Sequence, residues 1–305
     1  MKVIKMKIVV TIPAYNEEKT IGEVIKRIKT TLENLPYENM IIVVNDGSID
    51  NTIQEAEKSG VFIFSHRRNY GLAETYRSEI KIALDQNPDI IIHLDSDGQY
   101  RPEEIPLLIQ PIINKEADLV LGSRFLGSIE GMSFIKKIGN RAFSNVISNI
   151  TKLEITDGQT GFRAFTREVA EQIKIISNHT YTQEMIIRVS KEKFNLVEIP
   201  VHFDKRKDGK SRLISNPFSY AIRGWITILR VYRDYEPLKF FGRVGGIFIL
   251  TGVMIFSYVI YILFVEGIVT VANRVPTILL GVLLFMSGLQ IVLFGFLADM
   301  QILQK

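Results

Sequence analysis

The chain reads DIIIHLDSDGQ at residues 89–99. The apolar run within this stretch is typical of a buried strand, and two carboxylates, Asp95 and Asp97, follow it one residue apart. Oxygen ligands in this arrangement can hold Mg²⁺ or Mn²⁺, and such ions in proteins usually bind substrate phosphate oxygens as well. The stretch therefore indicates chemistry on a phosphorylated substrate. Its alternative interpretation is a solvated acidic turn.

Strand patterns and helix patterns alternate over residues 1–125. Apolar runs typical of strands occur at 7–12, 40–45, 61–65, 90–94 and 119–122. Amphipathic patterns typical of helices lie between them, at 17–32, 52–58, 72–84 and 103–113. This alternation predicts βαβ units, with a mostly parallel sheet that is covered by helices on both faces.

A polar loop follows each of the first four predicted strands. These loops are PAYNEE at 13–18, NDGSID at 45–50, RNYG at 68–71 and DSDGQ at 95–99. Sheets of this kind bind ligands outside the carboxyl ends of their strands, so the loops predict a binding crevice there. Purely structural roles are the alternative: Asn16 and Asp50 could be helix N-caps, and Gly47 and Gly71 could serve tight turns.

Several classes of protein and of site are excluded by what the sequence lacks. It contains neither a G-x-G-x-x-G nor a Walker-type phosphate loop, which argues against a dehydrogenase and a P-loop NTPase. It contains no cysteine, which rules out disulfides, thiolate metal sites and cysteine nucleophiles. Its histidines form no close-spaced ligand pair, so we expect structural roles for His66, His93, His179 and His202.

Two long segments, 244–265 and 275–298, contain no charged residue. Each is long enough to cross a bilayer core of about 30 Å as a helix, so we predict a hairpin of two transmembrane helices. The preceding residues 203–243 contain ten Lys and Arg against four acids. By the positive-inside rule this excess predicts a multi-pass protein of the cell membrane whose large N-terminal part is cytoplasmic. A pair of buried helices in a soluble core is the alternative.

Two amphipathic stretches are predicted to meet the membrane surface. In residues 216–235, arginines alternate with apolar and aromatic residues, which favours an interfacial helix on an anionic leaflet. A helix over 128–153 is predicted to turn an apolar face to the membrane and to offer Lys136, Lys137 and Arg141 to a lipid phosphate. Packing of the first on the soluble domain, and an ordinary surface helix for the second, are the alternatives.

Six motifs, taken in order, resemble the family-two inverting glycosyltransferases of the GT-A fold. They are PAYNEE (13–18), VVNDGSIDNT (43–52), RNYGLAET (68–75), HLDSDGQYRPEE (93–104), VLGSRF (120–125) and DGQTGFRAF (157–165). With the two apolar segments, they resemble the polyprenyl-phosphate hexose synthases, the group that contains dolichol-phosphate mannose synthase and lipid-phosphate glucosyltransferases.

This resemblance implies an α/β, Rossmann-like GT-A catalytic domain over 1–215, interfacial helices over 216–240 and two transmembrane helices within 241–305. It also implies transfer of one hexose, with inversion, from a nucleotide-sugar to a polyprenyl or dolichyl phosphate. GDP-mannose and UDP-glucose both remain candidate donors, and the two-span hairpin favours UDP-glucose slightly. A homo-oligomer is left open.

The resemblance assigns donor-binding roles to residues of the first four loops. The base and ribose site would be lined by Pro13, Ala14, Tyr15 and Glu17. Asp46 would accept hydrogen bonds from the base, and Asp95 would lie near the ribose and diphosphate. Asp97 and Gln99 would bind a divalent cation, Mg²⁺ or Mn²⁺, which holds the diphosphate.

The remaining roles that the resemblance implies belong to cations and to one acid. Arg124 and Arg141 would meet the acceptor phosphate. Arg206, Ser211 and Arg212 resemble a mobile basic loop that closes over the diphosphate, although the family often has Lys where Arg212 stands, and a guanidinium fork is not equivalent to an ammonium. Asp157 is the candidate general base, and orienting Arg163 or the sugar hydroxyls is its alternative role.

Elementary chemistry agrees with this assignment. Negative charge develops on a departing nucleoside diphosphate, and a cation together with Lys or Arg stabilises it. A lipid phosphate oxygen is already anionic near neutral pH, because the second pKa of a phosphate is about 6, so a strong base is not required.

Three rival functions and one rival partner are disfavoured. A processive polysaccharide synthase would need further spans and a QxxRW motif, and a non-catalytic membrane adaptor would not need Asp95, Asp97, Gln99 and Arg124. A flippase or channel element would need intramembrane charge. The basic run at 205–212 directly precedes the amphipathic segment, so we expect it to meet anionic lipid rather than nucleic acid.

Overall fold

The structure, a computed structural model, describes residues 6–176, 181–206, 226, 229–230, 232–266 and 274–303. The chain divides into two units, Met1–Ser215 and Asn216–Lys305. The first unit contains a twisted α/β arrangement, and the second contains two long apolar helices.

A seven-stranded sheet lies at the centre of the first unit. Its strands are β1 (Lys7–Ala14), β2 (Glu38–Asn45), β3 (Phe62–Ser65), β4 (Ile90–His93), β5 (Leu119–Ile129), β6 (Arg163–Thr166) and β7 (Leu196–Phe203). Their spatial order is β3-β2-β1-β4-β6-β5-β7. Only β6 among these strands runs antiparallel to its neighbours, so the prediction of a mostly parallel sheet is confirmed.

Seven helices and one 3₁₀ turn accompany the described part of this sheet. They are α1 (Ile21–Glu33), α2 (Thr52–Glu57), α3 (Leu72–Leu84), the 3₁₀ turn Pro102–Glu104, α4 (Ile105–Ile113), α5 (Phe134–Thr151), α6 (Arg167–Gln172) and α7 (Thr182–Lys191). The spacing of apolar residues explains how they pack. In α1, for example, Ile21, Val24, Ile25 and Ile28 fall on one face and join the core against the sheet.

The central strands are buried on both faces, which is why they read as continuous apolar runs. Ile90, Ile91 and Ile92 of β4 are at most 1% exposed. Because β1, β2 and β4 are parallel and adjacent, their carboxyl ends lie at one edge of the sheet. The backbone continues this alignment past the strands: Asp46 N–H donates to the Ala14 carbonyl (2.8 Å), and Leu94 N–H donates to the Thr11 carbonyl (3.1 Å).

The predicted strands and helices of residues 1–125 are present with shifted ends. The strand predicted at 119–122 continues to Ile129. The helix α1 begins at Ile21 rather than at residue 17, because Asn16 adopts a left-handed φ of 55°. Residues 17–20 then form a turn in which Thr20 N–H and Ile21 N–H donate to the Glu17 carbonyl. The interpretation of Asn16 as a helix N-cap is therefore wrong, since Thr20 is the N-cap of α1.

The predicted start of the helix over 128–153 is wrong. Ser128 and Ile129 belong to β5, where they pair with His202 and Phe203 of β7. A glycine makes this pairing possible, because a Cβ on Gly127 would overlap the backbone of β7. The helix α5 begins at Phe134, where the side chain of its N-cap, Ser133, accepts a hydrogen bond from Lys136 N–H.

The second unit contains α8 (Pro237–Glu266) and α9 (Val275–Leu303). The segments Pro237–Val265 and Val275–Gln301 are long and apolar enough to cross a membrane, and only 11% and 17% of their most apolar stretches are buried within the protein. Such low burial is unlike the core helices of a soluble protein, so the two predicted transmembrane helices are confirmed as apolar helices of spanning length.

Glycines bring α8 and α9 into close contact as an antiparallel hairpin. A Cβ on Gly245 would lie 2.6 Å from the Gly288 carbonyl oxygen, and one on Gly252 would lie 2.9 Å from the Gly281 carbonyl oxygen. The earlier glycine of α8, Gly245, meets the later glycine of α9, Gly288, whereas Gly252 meets Gly281. The two helices therefore run antiparallel. Small residues at such positions allow helix backbones to approach closely in a membrane.

The helix α8 begins seven residues before the predicted span at 244. Its Pro237 is a favoured first helical residue, since proline lacks the N–H that would be unpaired there. Residues 226, 229–230 and 232–235 are also helical. Most of the predicted interfacial helix over 216–235 lies outside the described residues, and its membrane role stays a prediction.

Gly245→Leu should separate the two helices, because the added side chain needs the space that the Gly288 carbonyl occupies. We expect its thermal unfolding midpoint in detergent to fall by roughly 2–4 °C for each kcal/mol lost. The matched control is Gly246→Leu, since a Cβ on Gly246 meets no atom within 4 Å. Equal midpoints for both variants would contradict the proposed packing.

Candidate active site

A cavity of about 290 Å³ lies at the carboxyl edge of β1, β2 and β4. Its wall contains every residue predicted to bind the nucleotide-sugar, namely Pro13, Ala14, Tyr15, Glu17, Asp46 and Asp95. Asp97, a predicted cation ligand, also lines it. The structure thus brings together side chains that are up to 84 residues apart, because three parallel strands end side by side.

The carboxylates Asp95 and Asp97 follow β4 on the same loop. Burial, together with the charge of Asp95, raises the pKa of Asp97 to about 7. This shift means that two adjacent anions are costly here without a counter-charge. Asp97 Oδ1 accepts a hydrogen bond from Gln99 N–H (3.1 Å), and this bond restricts the orientation of the carboxylate.

Gln99 is fixed by the residue that follows β7. Its Nε2 donates to the Asp204 carbonyl (3.0 Å), and its own carbonyl accepts from Asp204 N–H (2.7 Å). Because the amide nitrogen must be the atom that donates to a carbonyl, the other atom of the Gln99 amide is the oxygen, which is suited to bind a cation.

In the part of the chain that the structure describes, no three His, Cys, Asp or Glu residues cluster as a metal site. Of the two predicted cation ligands, Asp97 lines the cavity and Gln99 does not. The carboxylates of Asp95 and Asp97 are suited to a Mg²⁺ or Mn²⁺ ion that also binds waters and phosphate oxygens.

Asp46 lies at the other end of the cavity and is 4% exposed. Its Oδ1 accepts from His66 Nδ1 (2.8 Å) and from Tyr70 N–H (2.9 Å), and its Oδ2 accepts from Gly71 N–H (2.9 Å). His66 Nε2 in turn lies 2.9 Å from Ser78 Oγ. These bonds tie the loop after β2 to the loop before α3.

Two glycines give these loops their shape. Gly47 has a φ of 70°, and a Cβ there would overlap the backbone of Arg68. Gly71 has a φ of 91° at the start of α3. The turn roles considered for both glycines are therefore present, and they bring the backbone N–H groups to Asp46. Asp50 caps α2 in part, since its Oδ1 accepts from Thr52 N–H (3.1 Å), although the N-cap itself is Asn51.

Arg124 and Asp157 form a buried, two-pronged ion pair. Arg124 Nε and one terminal nitrogen lie 2.6 Å and 2.8 Å from the two Asp157 oxygens, and Arg124 N–H donates to Asp157 Oδ2 (3.0 Å). Burial disfavours the charged form, but Tyr100, Asp157 and Asp95 outweigh it and raise the pKa of Arg124. Asp157 therefore orients Arg124. Arg163 instead donates to the backbone carbonyls of Thr160 and Thr182.

Other cations lie near Arg124. Burial and the positive charges of Arg206 and Arg124 lower the pKa of Lys136, so both arginines are within electrostatic reach of Lys136. Arg206 forms an ion pair with Glu17 of the cavity wall. Arg141 is exposed, and its guanidinium carbon lies 5.5 Å from the centre of the Phe125 ring. Ser211 and Arg212 lie outside the described residues.

The site thus has an acidic cavity beside a group of cations, on a sheet that is interrupted by one antiparallel strand. The model of the family "Glycosyl transferase family 2" matches residues 9–174. The chain belongs to this family. The expected GT-A fold is confirmed as well, since structures with that fold resemble the chain.

Two curated relatives of this glycosyltransferase transfer sugars to dolichyl phosphate, as their names state. The UDP-N-acetylglucosamine–dolichyl-phosphate N-acetylglucosaminyltransferase of Methanococcus voltae is 34% identical over 62% of this chain and 82% of its own length. The dolichol-phosphate mannosyltransferase of Pyrococcus furiosus is 28% identical over 91% of this chain and 78% of its own length.

A solved structure shares the fold. It is glucosyl-3-phosphoglycerate synthase from Mycobacterium tuberculosis in complex with Mn²⁺, uridine diphosphate and phosphoglyceric acid. Its TM-score is 0.58 with 20% sequence identity, and the match covers 76% of this chain and 78% of that one.

A buried network of side chains contacts Asp95, and no sequence motif connects its members. His93 Nδ1 lies 2.6 Å from Glu79 Oε2, and His93 Nε2 lies 2.6 Å from the Tyr181 hydroxyl and 3.8 Å from Asp95 Oδ1. Burial alone would lower the pKa of His93, but Glu79 and Asp95 raise it to about 9. The two acids therefore favour the charged form of the ring, and this histidine, expected only to be structural, lies within ion-pair distance of a cavity carboxylate.

Gly161→Ala should push Asp95 out of place, because a Cβ on Gly161 would overlap the Asp95 carboxylate. We expect Mn²⁺-dependent binding of uridine or guanosine diphosphate, measured by calorimetry, to weaken about tenfold or more, since a displaced side chain loses a charge-assisted contact. Gly22→Ala in α1 is the matched control, where the nearest atom to a Cβ is 4.0 Å away. Unchanged binding in a folded Gly161→Ala protein would disprove the role of this contact.

Proposed function

We propose that this glycosyltransferase transfers one hexose from a nucleotide-sugar to a polyprenyl or dolichyl phosphate, with inversion, at the cytoplasmic face of the cell membrane. The observation that carries the proposal is a small acidic cavity beside a group of cations, in a chain with two apolar helices of membrane-spanning length. The acidic cavity suits a cation with a nucleoside diphosphate, and the cations suit a second phosphate.

The donor would lie across the strand ends. Pro13, Ala14 and Tyr15 would line its base and ribose, in the cavity between Asp46 and Asp95. Asp97 and Gln99 would hold a divalent cation, Mg²⁺ or Mn²⁺, whose charge neutralises the departing diphosphate. The raised pKa of Asp97 supports this assignment, because burial and the charge of Asp95 destabilise its charged form and a bound cation would offset that cost.

The acceptor phosphate would meet the cations on the other side of the site. Arg124 and Arg206 both lie within electrostatic reach of Lys136, and the guanidinium of Arg141 lies near Phe125, the residue after Arg124. Such groups stabilise phosphate oxygens. Ser211 and Arg212 would extend the basic loop that Arg206 begins.

The reaction would be a single displacement. An acceptor phosphate oxygen forms a bond to the anomeric carbon, while the bond from that carbon to the diphosphate oxygen breaks and its electron pair leaves with the nucleoside diphosphate. Attack opposite the leaving group inverts the anomeric carbon. The phosphate oxygen is anionic near neutral pH, so no base is needed, and both oxygens of Asp157 are bonded to Arg124. We therefore assign Asp157 to positioning Arg124 rather than to proton removal.

The relatives support the acceptor class but differ in the sugar. One is named for mannose and the other for N-acetylglucosamine, both with dolichyl phosphate or dolichol phosphate. The M. tuberculosis structure, which shares only the fold, holds Mn²⁺ with uridine diphosphate. UDP-glucose, GDP-mannose and UDP-N-acetylglucosamine are thus the donors to compare.

The deciding experiment measures transfer of labelled sugar to dolichyl or undecaprenyl phosphate in detergent. We expect a chloroform-soluble product from one of these donors, with Mg²⁺ or Mn²⁺ but not with EDTA, and none from Asp97→Ala, because that variant loses a cation ligand. A product that resists EDTA, or an active Asp97→Ala enzyme, would overturn the cation assignment. No lipid-linked product from any donor would overturn the proposed function.

Arg141→Ala should weaken use of the lipid acceptor more than binding of the donor. We expect the KM for the lipid phosphate to rise about tenfold, the usual scale for loss of one charge-assisted contact, while calorimetry shows unchanged nucleotide binding. Lys26→Ala, which removes an exposed charge from α1, is the control and should change neither. Equal effects of Arg141→Ala on donor and acceptor would argue against a phosphate contact.

A further inference from the structure

The hydrogen bonds that already reach Asp46 limit what this carboxylate can bind. A carboxylate oxygen has two lone pairs in its plane. Oδ1 accepts from both His66 Nδ1 and Tyr70 N–H, and Oδ2 accepts from Gly71 N–H. Since a carboxylate can only accept, His66 Nδ1 must carry the hydrogen in the first of these bonds. Within the described chain, Asp46 therefore retains one lone pair, on Oδ2.

The position of Asp46 in the sheet assigns it to the base of the donor. It follows β2, whereas Asp95 follows β4, and β1 lies between these strands. Neighbouring strands are about 4.8 Å apart, so the strand ends that precede Asp46 and Asp95 are separated by two strand spacings, about 10 Å. This is the span that a ribose places between a base and its diphosphate. With the diphosphate at Asp95 and Asp97, the base lies at Asp46.

The bases differ in the number of N–H groups that they present to a carboxylate. Guanine presents an imino N–H and an adjacent amino group, which together pair with both oxygens of a free carboxylate. Uracil presents one imino N–H between two carbonyl groups. A carboxylate with a single free lone pair satisfies uracil, but it leaves one buried donor of guanine unpaired, and an unpaired buried donor is costly.

We propose that Asp46, with Oδ1 occupied by His66, selects a uridine diphosphate sugar over a guanosine diphosphate sugar. This inference rests on the proposed function and narrows its donor. His66 is the specificity-determining residue, because it alone among the three partners of Asp46 donates from a side chain. Its ring is held by Ser78 Oγ and lies edge-on to Phe64 and Tyr70, so its bond to Asp46 is rigid.

The test is calorimetric titration of the full-length chain in detergent with uridine diphosphate and guanosine diphosphate, each with excess Mn²⁺. We expect uridine diphosphate to bind at least about tenfold more tightly, the scale of one unpaired buried donor. Equal affinities, or tighter binding of guanosine diphosphate, would overturn the inference.

Two variants assign the preference to His66. His66→Phe keeps an aromatic ring but removes the donor, which frees the second lone pair of Oδ1, so the preference for uridine should fall to about threefold or less through tighter binding of guanosine diphosphate. His66→Asn is the matched control, because its amide N–H can still donate to Asp46, and it should keep the preference. A His66→Phe protein with the full preference would refute the role of His66.

Failure of this inference and failure of the proposed function give different results. If guanosine diphosphate binds more tightly and GDP-mannose yields lipid-linked mannose, the proposed function stands and the selection of uridine is wrong. If neither nucleotide binds in the presence of Mn²⁺, the cavity is not a nucleotide site, and both are rejected.

Discussion

Four carboxylates line one small cavity, and their mutual repulsion is the constraint on which the arrangement of the site depends. A buried charge is stable only when it is paired or hydrogen-bonded. Three of the four have a cationic or hydrogen-bonding side-chain partner, and these pairs are Glu17 with Arg206, Asp46 with His66, and Asp95 with His93. Asp97 accepts one hydrogen bond among the described residues, from Gln99 N–H. Burial and the charge of Asp95 raise the pKa of Asp97, and Arg206 offsets only part of this effect.

The same constraint explains the cationic side of the site. Arg124 is nearly buried, and a guanidinium in that position requires a carboxylate, which Asp157 supplies. Asp157 is in turn held by Glu198, whose Oε1 accepts from Asp157 N–H (2.9 Å). A chain of bonds from β7 through Asp157 therefore fixes the direction in which Arg124 points. This arrangement places Arg124 on a strand of the sheet, whereas Arg206 follows β7 and ends a described segment.

Much of the fold and part of the site could be predicted from the sequence, and the reason is local. Buried parallel strands read as continuous apolar runs, and polar loops at their ends must share one edge, so the cavity residues from Pro13 to Asp97 could be grouped before any coordinates. The partners of those residues could not. Asp157 meets Arg124 across 33 residues, and Asp204 meets Gln99 across 105. The apolar periodicity that predicts strands and helices carries no information about such pairs. The start of α5 could not be predicted for a related reason, because only the partner strand β7 shows that Ser128 is extended.

The order of strands in the sheet has a consequence for biosynthesis. The block β3-β2-β1-β4 uses only residues 7–93, so the acidic wall can assemble once the first hundred residues have left the ribosome. The block β6-β5-β7 cannot be completed until residue 203 has been made, because β7 pairs with β5 across an intervening 66 residues. Domains generally fold as units, and non-local pairings are slow to form. The strands beside the cationic half of the site are therefore the last of the sheet to be synthesised, shortly before the two apolar helices.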